Sequence, residues 1–135
     1  MELEANVGLS FNGDCEAAFK LYAQLFEAKL ELVLTWGASP LADKAPREWA
    51  EKMLFARLKG RAMTLTGADV LPGTYHAPTG FNLCLSTSGA AEAERLFAEL
   101  ATGGSVRMPL ESTFFAARYG EVVDRFGIPW EVRTR

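Results

Sequence analysis

Apolar and polar residues alternate near the start of the chain. In residues 5–11, Val7, Leu9 and Phe11 share one face, while the positions between them are small or polar. A period of two is typical of a β-strand that is buried on one side only. The first apolar stretch is therefore predicted to be a strand with one face packed against another element.

A helical spacing follows this strand. An Asn-Gly-Asp turn at residues 12–14 supplies a candidate helix N-cap, and apolar residues then recur at intervals of three and four. These residues are Cys15, Ala18, Phe19, Tyr22, Leu25 and Phe26. The spacing predicts an amphipathic helix that covers the apolar side of the strand.

Three more strands are predicted before the middle of the chain. Residues 30–36 form the second strand, and residues 52–59 and 62–66 form a hairpin. Residues 37–51 contain prolines and are predicted to be a long loop or a short irregular helix. The order is β-α-β-β-β, and a Gly- and Pro-containing linker follows.

The same order begins again in the second half. Residues 81–86 alternate, apolar residues from Ala93 to Leu100 have helical spacing, and Gly103 and Gly104 end that helix. Residues 105–110, 114–119 and 128–132 are predicted to be strands, with turns at Tyr119-Gly120 and at residues 124–127. A shift of 74 residues places Leu9 on Leu83, Phe11 on Leu85, Tyr22 on Leu96 and Phe26 on Leu100. We interpret this pattern as a degenerate internal repeat.

Two stretches resemble a known family. Residues 113–132 contain Thr-Phe-Phe-Ala, a Tyr-Gly pair and Asp-Arg-Phe-Gly before Trp130, and Phe11 opens an F-x-G-x-x-x-A-x-x-x-Y pattern. These motifs are similar to those of the PhnB-like branch of the vicinal oxygen chelate superfamily, which includes glyoxalase I, fosfomycin- and bleomycin-resistance proteins and extradiol dioxygenases. The resemblance covers nearly the whole chain. It implies an α+β fold in which residues 1–135 form a single domain of two βαβββ modules, whose curved mixed sheets surround a cavity. Module one spans about residues 1–67, the linker 68–79, and module two about 80–135.

The resemblance also implies where a metal would bind. Glu131 stands at the position of a carboxylate ligand in the metal enzymes, and strand pleating puts Trp130 and Val132 on the opposite face. The alternative is that Glu131 is solvated near the C-terminal edge. The remaining ligand positions carry poor donors or none, because Asn82, Gly8 with Asn6, Phe55 and Ala117 stand where relatives often have histidine or other ligands. The one histidine, His76, lies in the linker and is predicted to be a solvated loop residue. We therefore expect no tightly bound transition metal, and the possible metal is a weak divalent cation at Glu131.

The expected ligand cavity is lined by residues of both modules, and its catalytic residues are unknown. Cys84 shares a strand face with Asn82, but no candidate base is near it in sequence. Cys15 lies in the first helical turn, where the helix dipole lowers a thiol pKa, although apolar neighbours favour simple packing. Asp69 is predicted to cap a turn or loop. The predicted cavity residues are Asn6, Gly8, Phe55, Asn82, Cys84, Ser112, Phe115 and Tyr119.

Composition narrows the partners. The chain has 135 residues, 49% hydrophobic, with a formal net charge of -3 and no run of Lys or Arg, which argues against nucleic-acid binding. No apolar run approaches the roughly 20 residues that span a bilayer, and no signal peptide is apparent, so a cytoplasmic location without membrane contact is expected. The two cysteines are expected to be free. Apolar strand edges, together with the resemblance, predict a homodimer.

Two functions remain open from the sequence. The first is a metal-free or weakly metal-binding protein that binds an unidentified small molecule without turnover. The second is a divergent metal-dependent enzyme of the lyase or transferase type, in which Glu131 holds a divalent cation. A methyltransferase is disfavoured because no Gly-rich loop follows the first strand to hold a nucleotide-like cofactor.

Overall fold

The computed structural model describes residues 1–135 and divides into two compact units, Met1–His76 and Ala77–Arg135. Each unit contains one α-helix and one four-stranded mixed sheet, which confirms the predicted α+β class. The unit boundary falls inside the predicted linker. The linker begins later than predicted, because residues 68 and 69 belong to a strand. That the two units form one domain around a cavity stays a prediction.

The first unit follows the predicted β-α-β-β-β order. Its elements are β1 (Val7–Phe11), α1 (Cys15–Phe26), β2 (Lys29–Thr35), β3 (Met53–Lys59) and β4 (Thr64–Asp69). The strand order is β1-β4-β3-β2, with β1 and β4 parallel and the other pairs antiparallel. Between β2 and β3 the chain makes two short 3₁₀ helices, Ala42–Lys44 and Arg47–Trp49, in agreement with the predicted irregular segment.

The second unit repeats this topology. Its elements are β5 (Leu83–Thr87), α2 (Ala90–Ala101), β6 (Ser105–Glu111), β7 (Tyr119–Val123) and β8 (Pro129–Thr134). The strand order β5-β8-β7-β6 corresponds strand for strand to the first sheet, which confirms the internal repeat. Each helix has 12 residues, and neither is long and apolar enough to cross a lipid bilayer.

Helix α1 packs its apolar stripe onto the first sheet. The Phe19 ring meets the Phe11 ring edge to face, with centroids 5.9 Å apart, and both side chains are buried. The helix approaches β4 so closely that a Cβ at Gly67 would lie 2.7 Å from Cζ of Phe19. Only glycine fits there without moving the aromatic ring, which explains a glycine in the middle of a strand.

Asp69, the last residue of β4, accepts hydrogen bonds from the backbone at the start of α1. Its Oδ1 accepts hydrogen bonds of 2.9 Å from the backbone N–H groups of Gly13 and Cys15, and its Oδ2 accepts one of 2.8 Å from Met53. The predicted capping role of Asp69 is confirmed. Asp14 occupies the N-cap position of α1, as the Asn-Gly-Asp turn predicted. Its side chain makes no capping hydrogen bond, however, so that part of the prediction is wrong.

The segment before β7 differs from the predicted strand. Residues 114–118 form a loop closed by Thr113, whose Oγ1 accepts a hydrogen bond of 3.1 Å from the N–H of Ala116, and the strand begins only at Tyr119. The predicted turn at Tyr119-Gly120 is wrong, because both residues lie in β7. Gly120 is required by packing, since a Cβ there would lie 2.8 Å from Cε2 of Phe97 and 2.9 Å from Cα of Leu110. The second predicted turn is confirmed, with Gly127 at a φ of 88°.

Candidate functional site

Polar side chains from three strands meet on one face of the second sheet. The opposite face, which includes Leu85, Val122 and Val132, is buried and belongs to the core of the unit, where α2 packs. Strand register places residues directly opposite one another, so their side chains point to the same side. One row consists of Cys84, Glu131 and Glu121, and the next row of Ser86, Arg133 and Tyr119. We call these six residues the polar face.

Glu131 lies at the centre of the polar face and is only 8% exposed. Its Oε2 accepts a hydrogen bond from the Cys84 thiol at 2.7 Å, and its Oε1 accepts one from Nη2 of Arg133 at 2.6 Å. Burial by itself raises the pKa of the Glu131 carboxyl, but hydrogen bonds from Cys84, Arg133 and Tyr119 outweigh it and hold the pKa below its usual value. The alternative of a solvated Glu131 is therefore wrong, and the side chain is an ionised, internally paired carboxylate.

The thiol of Cys84 and the hydroxyl of Tyr119, which lie beside Glu131, stay protonated. The hydrogen bond to Glu131, then burial and the charge of Glu131, raise the pKa of the Cys84 thiol to about 11. Burial, then hydrogen bonds to Glu121 and Glu131, raise the pKa of the Tyr119 hydroxyl above its usual range. At neutral pH both groups are therefore hydrogen-bond donors, and Cys84 is a poor nucleophile.

Aromatic rings border the polar face. The loop before β7 carries Phe114 and Phe115, which are 100% and 50% exposed and meet edge to face with centroids 5.0 Å apart. Phe115 also meets the ring of Tyr119 at 5.0 Å. The guanidinium of Arg133 lies 5.7 Å from the Phe115 centroid and 5.3 Å from that of Tyr119, which is cation–π distance. The site thus combines a paired carboxylate with an exposed aromatic surface.

The donor set around Glu131 does not suit a divalent metal ion. Both carboxylate oxygens already accept hydrogen bonds, and the Arg133 guanidinium places a positive charge where a cation would bind. The structure has no group of three or more His, Cys, Asp or Glu side chains arranged to hold a metal ion. His76 is exposed in the segment between β4 and β5, which confirms its predicted position.

The predicted cavity residues are divided between the two units. Asn6, Gly8 and Phe55 belong to the first unit, where Asn6 precedes β1, Gly8 is exposed in β1, and Phe55 is 38% exposed in β3. In the second unit, Asn82 precedes β5 and Ser112 is exposed just after β6. The structure brings together four of the predicted residues, namely Cys84, Phe115, Tyr119 and Glu131.

Two residues that lie beside Glu131 on the polar face were not singled out from the sequence. Arg133 and Glu121 are each two residues from a residue that was singled out, Glu131 and Tyr119 respectively, so strand alternation puts them on the same face. That periodic signal was available in the sequence. The pairing of β7 with β8, which makes Glu121 the direct neighbour of Glu131, was not.

The first unit has a separate open cavity of about 520 Å³ near the start of α1. Its lining includes Glu16, Arg47, Glu51 and Lys52, and Lys52 Nζ donates a hydrogen bond of 3.0 Å to the carbonyl of Gly13. Cys15 lies close by but is fully buried, and burial together with the charges of Asp69 and Glu16 raises its pKa to about 12. The expectation that the helix dipole lowers this pKa is wrong, whereas the packing role is confirmed.

A family model and two similar proteins match nearly the whole chain. A family model described as 3-demethylubiquinone-9 3-methyltransferase matches residues 4–133. Protein YjdN from Escherichia coli strain K12 is 28% identical over 137 residues, covering 93% of this chain and 91% of that protein. The crystal structure of protein PA1353 from Pseudomonas aeruginosa is 41% identical with a TM-score of 0.90, covering 99% of this chain and 98% of that one.

More distant solved structures share the fold. The PhnB protein from Bacillus cereus is 18% identical with a TM-score of 0.85, covering 98% of this chain and 100% of that one. The fosfomycin resistance protein FosX from Mesorhizobium loti is 12% identical with a TM-score of 0.63, covering 100% of this chain and 93% of that one. The chain therefore belongs to the 3-demethylubiquinone-9 3-methyltransferase family, the PhnB-like group within the vicinal oxygen chelate fold.

Proposed function

We propose that this chain binds a small organic molecule on the polar face of its second sheet and does so without a tightly bound transition metal. The observation that carries the proposal is the pair of exposed rings, Phe114 and Phe115, next to the internally satisfied Glu131. Exposed aromatic surface beside oriented polar groups is typical of ligand sites.

Both oxygens of the Glu131 carboxylate already accept hydrogen bonds, which supports ligand binding rather than metal-assisted catalysis at this residue. A metal at Glu131 would have to displace the hydrogen bonds of Cys84 and Arg133 and lie close to the guanidinium charge. Neither the thiol of Cys84 nor the hydroxyl of Tyr119 is ionised at neutral pH, so neither offers an anionic ligand in exchange. The proposed role of the network is to fix the position of polar groups around a ligand.

Methyl transfer is not part of the proposal, although the family description names it. The connection from β1 to α1 is the three-residue segment 12–14, which contains a single glycine. A nucleotide-type methyl donor held after a first parallel strand needs a glycine-rich turn that lets the backbone approach the cofactor.

The test uses a neutral aromatic alcohol, 1-naphthalenemethanol, titrated into isotopically labelled protein. We expect saturable shifts of the backbone amide signals of β7 and β8, and a loss of affinity of about tenfold in Phe115→Ala, because one stacked ring is removed. Phe81→Ala removes another exposed ring, which precedes β5 and is not part of the polar face, and should leave the affinity unchanged. An absence of saturable shifts on these strands would overturn the proposal.

A second titration addresses the metal-dependent alternative. Mg²⁺, Mn²⁺, Zn²⁺, Ni²⁺ and Co²⁺ are added separately to metal-stripped protein while the melting temperature is followed. The proposal predicts no saturable rise with any of them. A rise with one metal that disappears in Glu131→Gln would favour a metal-dependent enzyme instead.

We also propose that the chain acts as a cytoplasmic homodimer. The outer strands β2 and β6 expose several apolar side chains, which supports association of two copies along these strands. Both cysteines are free, which suits a reducing compartment. The exposed apolar residues are Leu32, Val33, Leu34, Val106 and Met108.

A further inference from the structure

We infer that the ligand of the polar face is an organic cation, an amine with an aromatic or aliphatic body, and that Glu121 binds its ammonium group. This inference rests on the proposed function, because it assigns the charge of the molecule that the polar face binds. It is carried by the charges of the face, by an oxygen of Glu121 to which no group of the chain donates, and by the adjacent rings.

The polar face has one more negative charge than positive charge. Its carboxylates are Glu131 and Glu121, and its one cationic side chain is Arg133, which is already paired with Glu131 at 2.6 Å. The β6 partner of Tyr119 is a further carboxylate, Glu111. A bound cation would compensate this excess.

Glu121 has spare capacity for a donor. Its Oε2 accepts a hydrogen bond of 2.9 Å from the Tyr119 hydroxyl, whereas its Oε1 has no hydrogen-bond partner in the chain, and no Lys or Arg pairs with it. Its direct neighbour across β7 and β8 is Glu131, and like charges at opposed positions on adjacent strands repel. An ammonium group at Oε1 would form a charge-assisted hydrogen bond and relieve that repulsion.

The neighbouring rings already bind a cation within the chain. Arg133 lies over both Phe115 and Tyr119, so the electron-rich faces of these rings are directed toward positive charge. The rest of Phe115, which is 50% exposed, and the fully exposed Phe114 remain available for an apolar body. An amphipathic amine matches both features at once.

An anion fits the same surface poorly. The guanidinium of Arg133 is neutralised by Glu131, so an incoming carboxylate or phosphonate would have to compete with an ion pair of 2.6 Å. It would also lie close to the unpaired charge of Glu121. The net negative charge of the polar face therefore favours cations over anions.

The test compares three probes that share one ring system, which are 1-naphthylmethylamine, 1-naphthalenemethanol and 1-naphthylacetate. We expect the amine to bind about tenfold more tightly than the alcohol, and the acetate to bind most weakly. Glu121→Gln should remove the advantage of the amine, so that the amine and the alcohol bind this variant with similar affinity. Glu99→Gln makes the same change in net charge on the exposed surface of α2 and should have no effect.

A salt titration of the unmodified protein provides a second measurement that does not depend on a variant. Raising the ionic strength should weaken binding of the amine and leave the alcohol unaffected, because only the former is held by charge. If the alcohol or the acetate binds as tightly as the amine, the charge assignment is overturned while the proposed function stands. If no probe shifts the signals of β7 and β8, both are overturned.

Discussion

The thiol sulfur of Cys84 lies 2.7 Å from Oε2 of Glu131, although the two residues are 47 positions apart in the sequence. They are direct partners in the parallel pairing of β5 with β8. The thiol donates its proton to a carboxylate that stays ionised, so each group holds the other in its charge state. This reciprocity makes the pair accessible to chemical measurement.

Cys84 should react slowly with alkylating agents at neutral pH, because its pKa is raised to about 11. Glu131→Gln removes the negative charge and weakens the acceptor, so the pKa should fall by about one unit, and alkylation at fixed pH should accelerate about tenfold. The rate is measured with iodoacetamide and mass spectrometry. Cys84→Ser identifies the signal, since Cys15 is fully buried, and an unchanged rate in Glu131→Gln would contradict the prediction.

The free energy of unfolding should decrease at alkaline pH. The folded chain raises the pKa of Cys84 to about 11 and that of Cys15 to about 12, whereas unfolded thiols titrate at about 8.5. A thiol whose pKa is higher in the folded chain than in the unfolded chain stabilises the folded state. This stabilisation is fully present below about pH 8.5 and is lost as the pH rises through the pKa of the folded state. Melting temperatures from pH 7 to pH 11 measure the loss. Cys84→Ser should show a shallower decrease, and a flat profile in the unmodified protein would contradict this account.

Asp69→Ala should destabilise the first unit strongly. The substitution leaves three backbone N–H groups without their acceptor, those of Cys15 and Met53 in buried positions and that of Gly13 in a partly buried one. We expect a loss of about 3 to 5 kcal/mol in the free energy of unfolding, measured by urea denaturation. Asp43→Asn, on an exposed 3₁₀ helix, should change it by less than about 0.5 kcal/mol. Equal effects of the two substitutions would exclude the capping role.

Gly120→Ala tests whether this glycine is required by packing. The added Cβ would collide with Phe97 and with the backbone of Leu110, so a loss of about 2 kcal/mol is expected. Gly8→Ala is the matched control, since Gly8 also lies in a strand, its φ is not positive, and the added Cβ would make only an ordinary contact of 3.4 Å with Oγ1 of Thr66. Thermal unfolding of the two variants should differ clearly. Similar melting temperatures would mean that the close approach at Gly120 is relieved easily.

Light scattering should give a mass about twice 14.8 kDa at micromolar concentration. Val33→Lys, which places a charge on the exposed face of β2, should shift the equilibrium toward the monomer. Ala98→Lys adds the same charge on the exposed surface of α2 and should not. A monomeric mass that does not depend on dilution would contradict the dimer.

Local patterns in the sequence were sufficient for most of the elements. The alternation around Leu9 and Leu83 and the helical spacing around Tyr22 and Leu96 predicted the strands and helices, because these residues are buried in every case. The prediction failed at residues 114–118, where apolar residues suggested a strand. There Thr113 closes a loop, and Phe114 and Phe115 are exposed. Apolar character alone does not distinguish a buried strand residue from a ring that faces solvent.

The sequence by itself determined the repeated β-α-β-β-β order, the family resemblance and the scarcity of histidine and cysteine as metal ligands, since these depend on residue type and spacing. Tertiary structure alone decided the chemistry of the polar face. Whether Glu131 is solvated or paired depends on which strands lie beside β8, and β5 and β7 bring Cys84 and Glu121 to it from distant parts of the chain. Hydrogen bonds and charges act over a few ångströms, so pKa values and charge excess follow from strand pairing, which spacing along one chain does not specify.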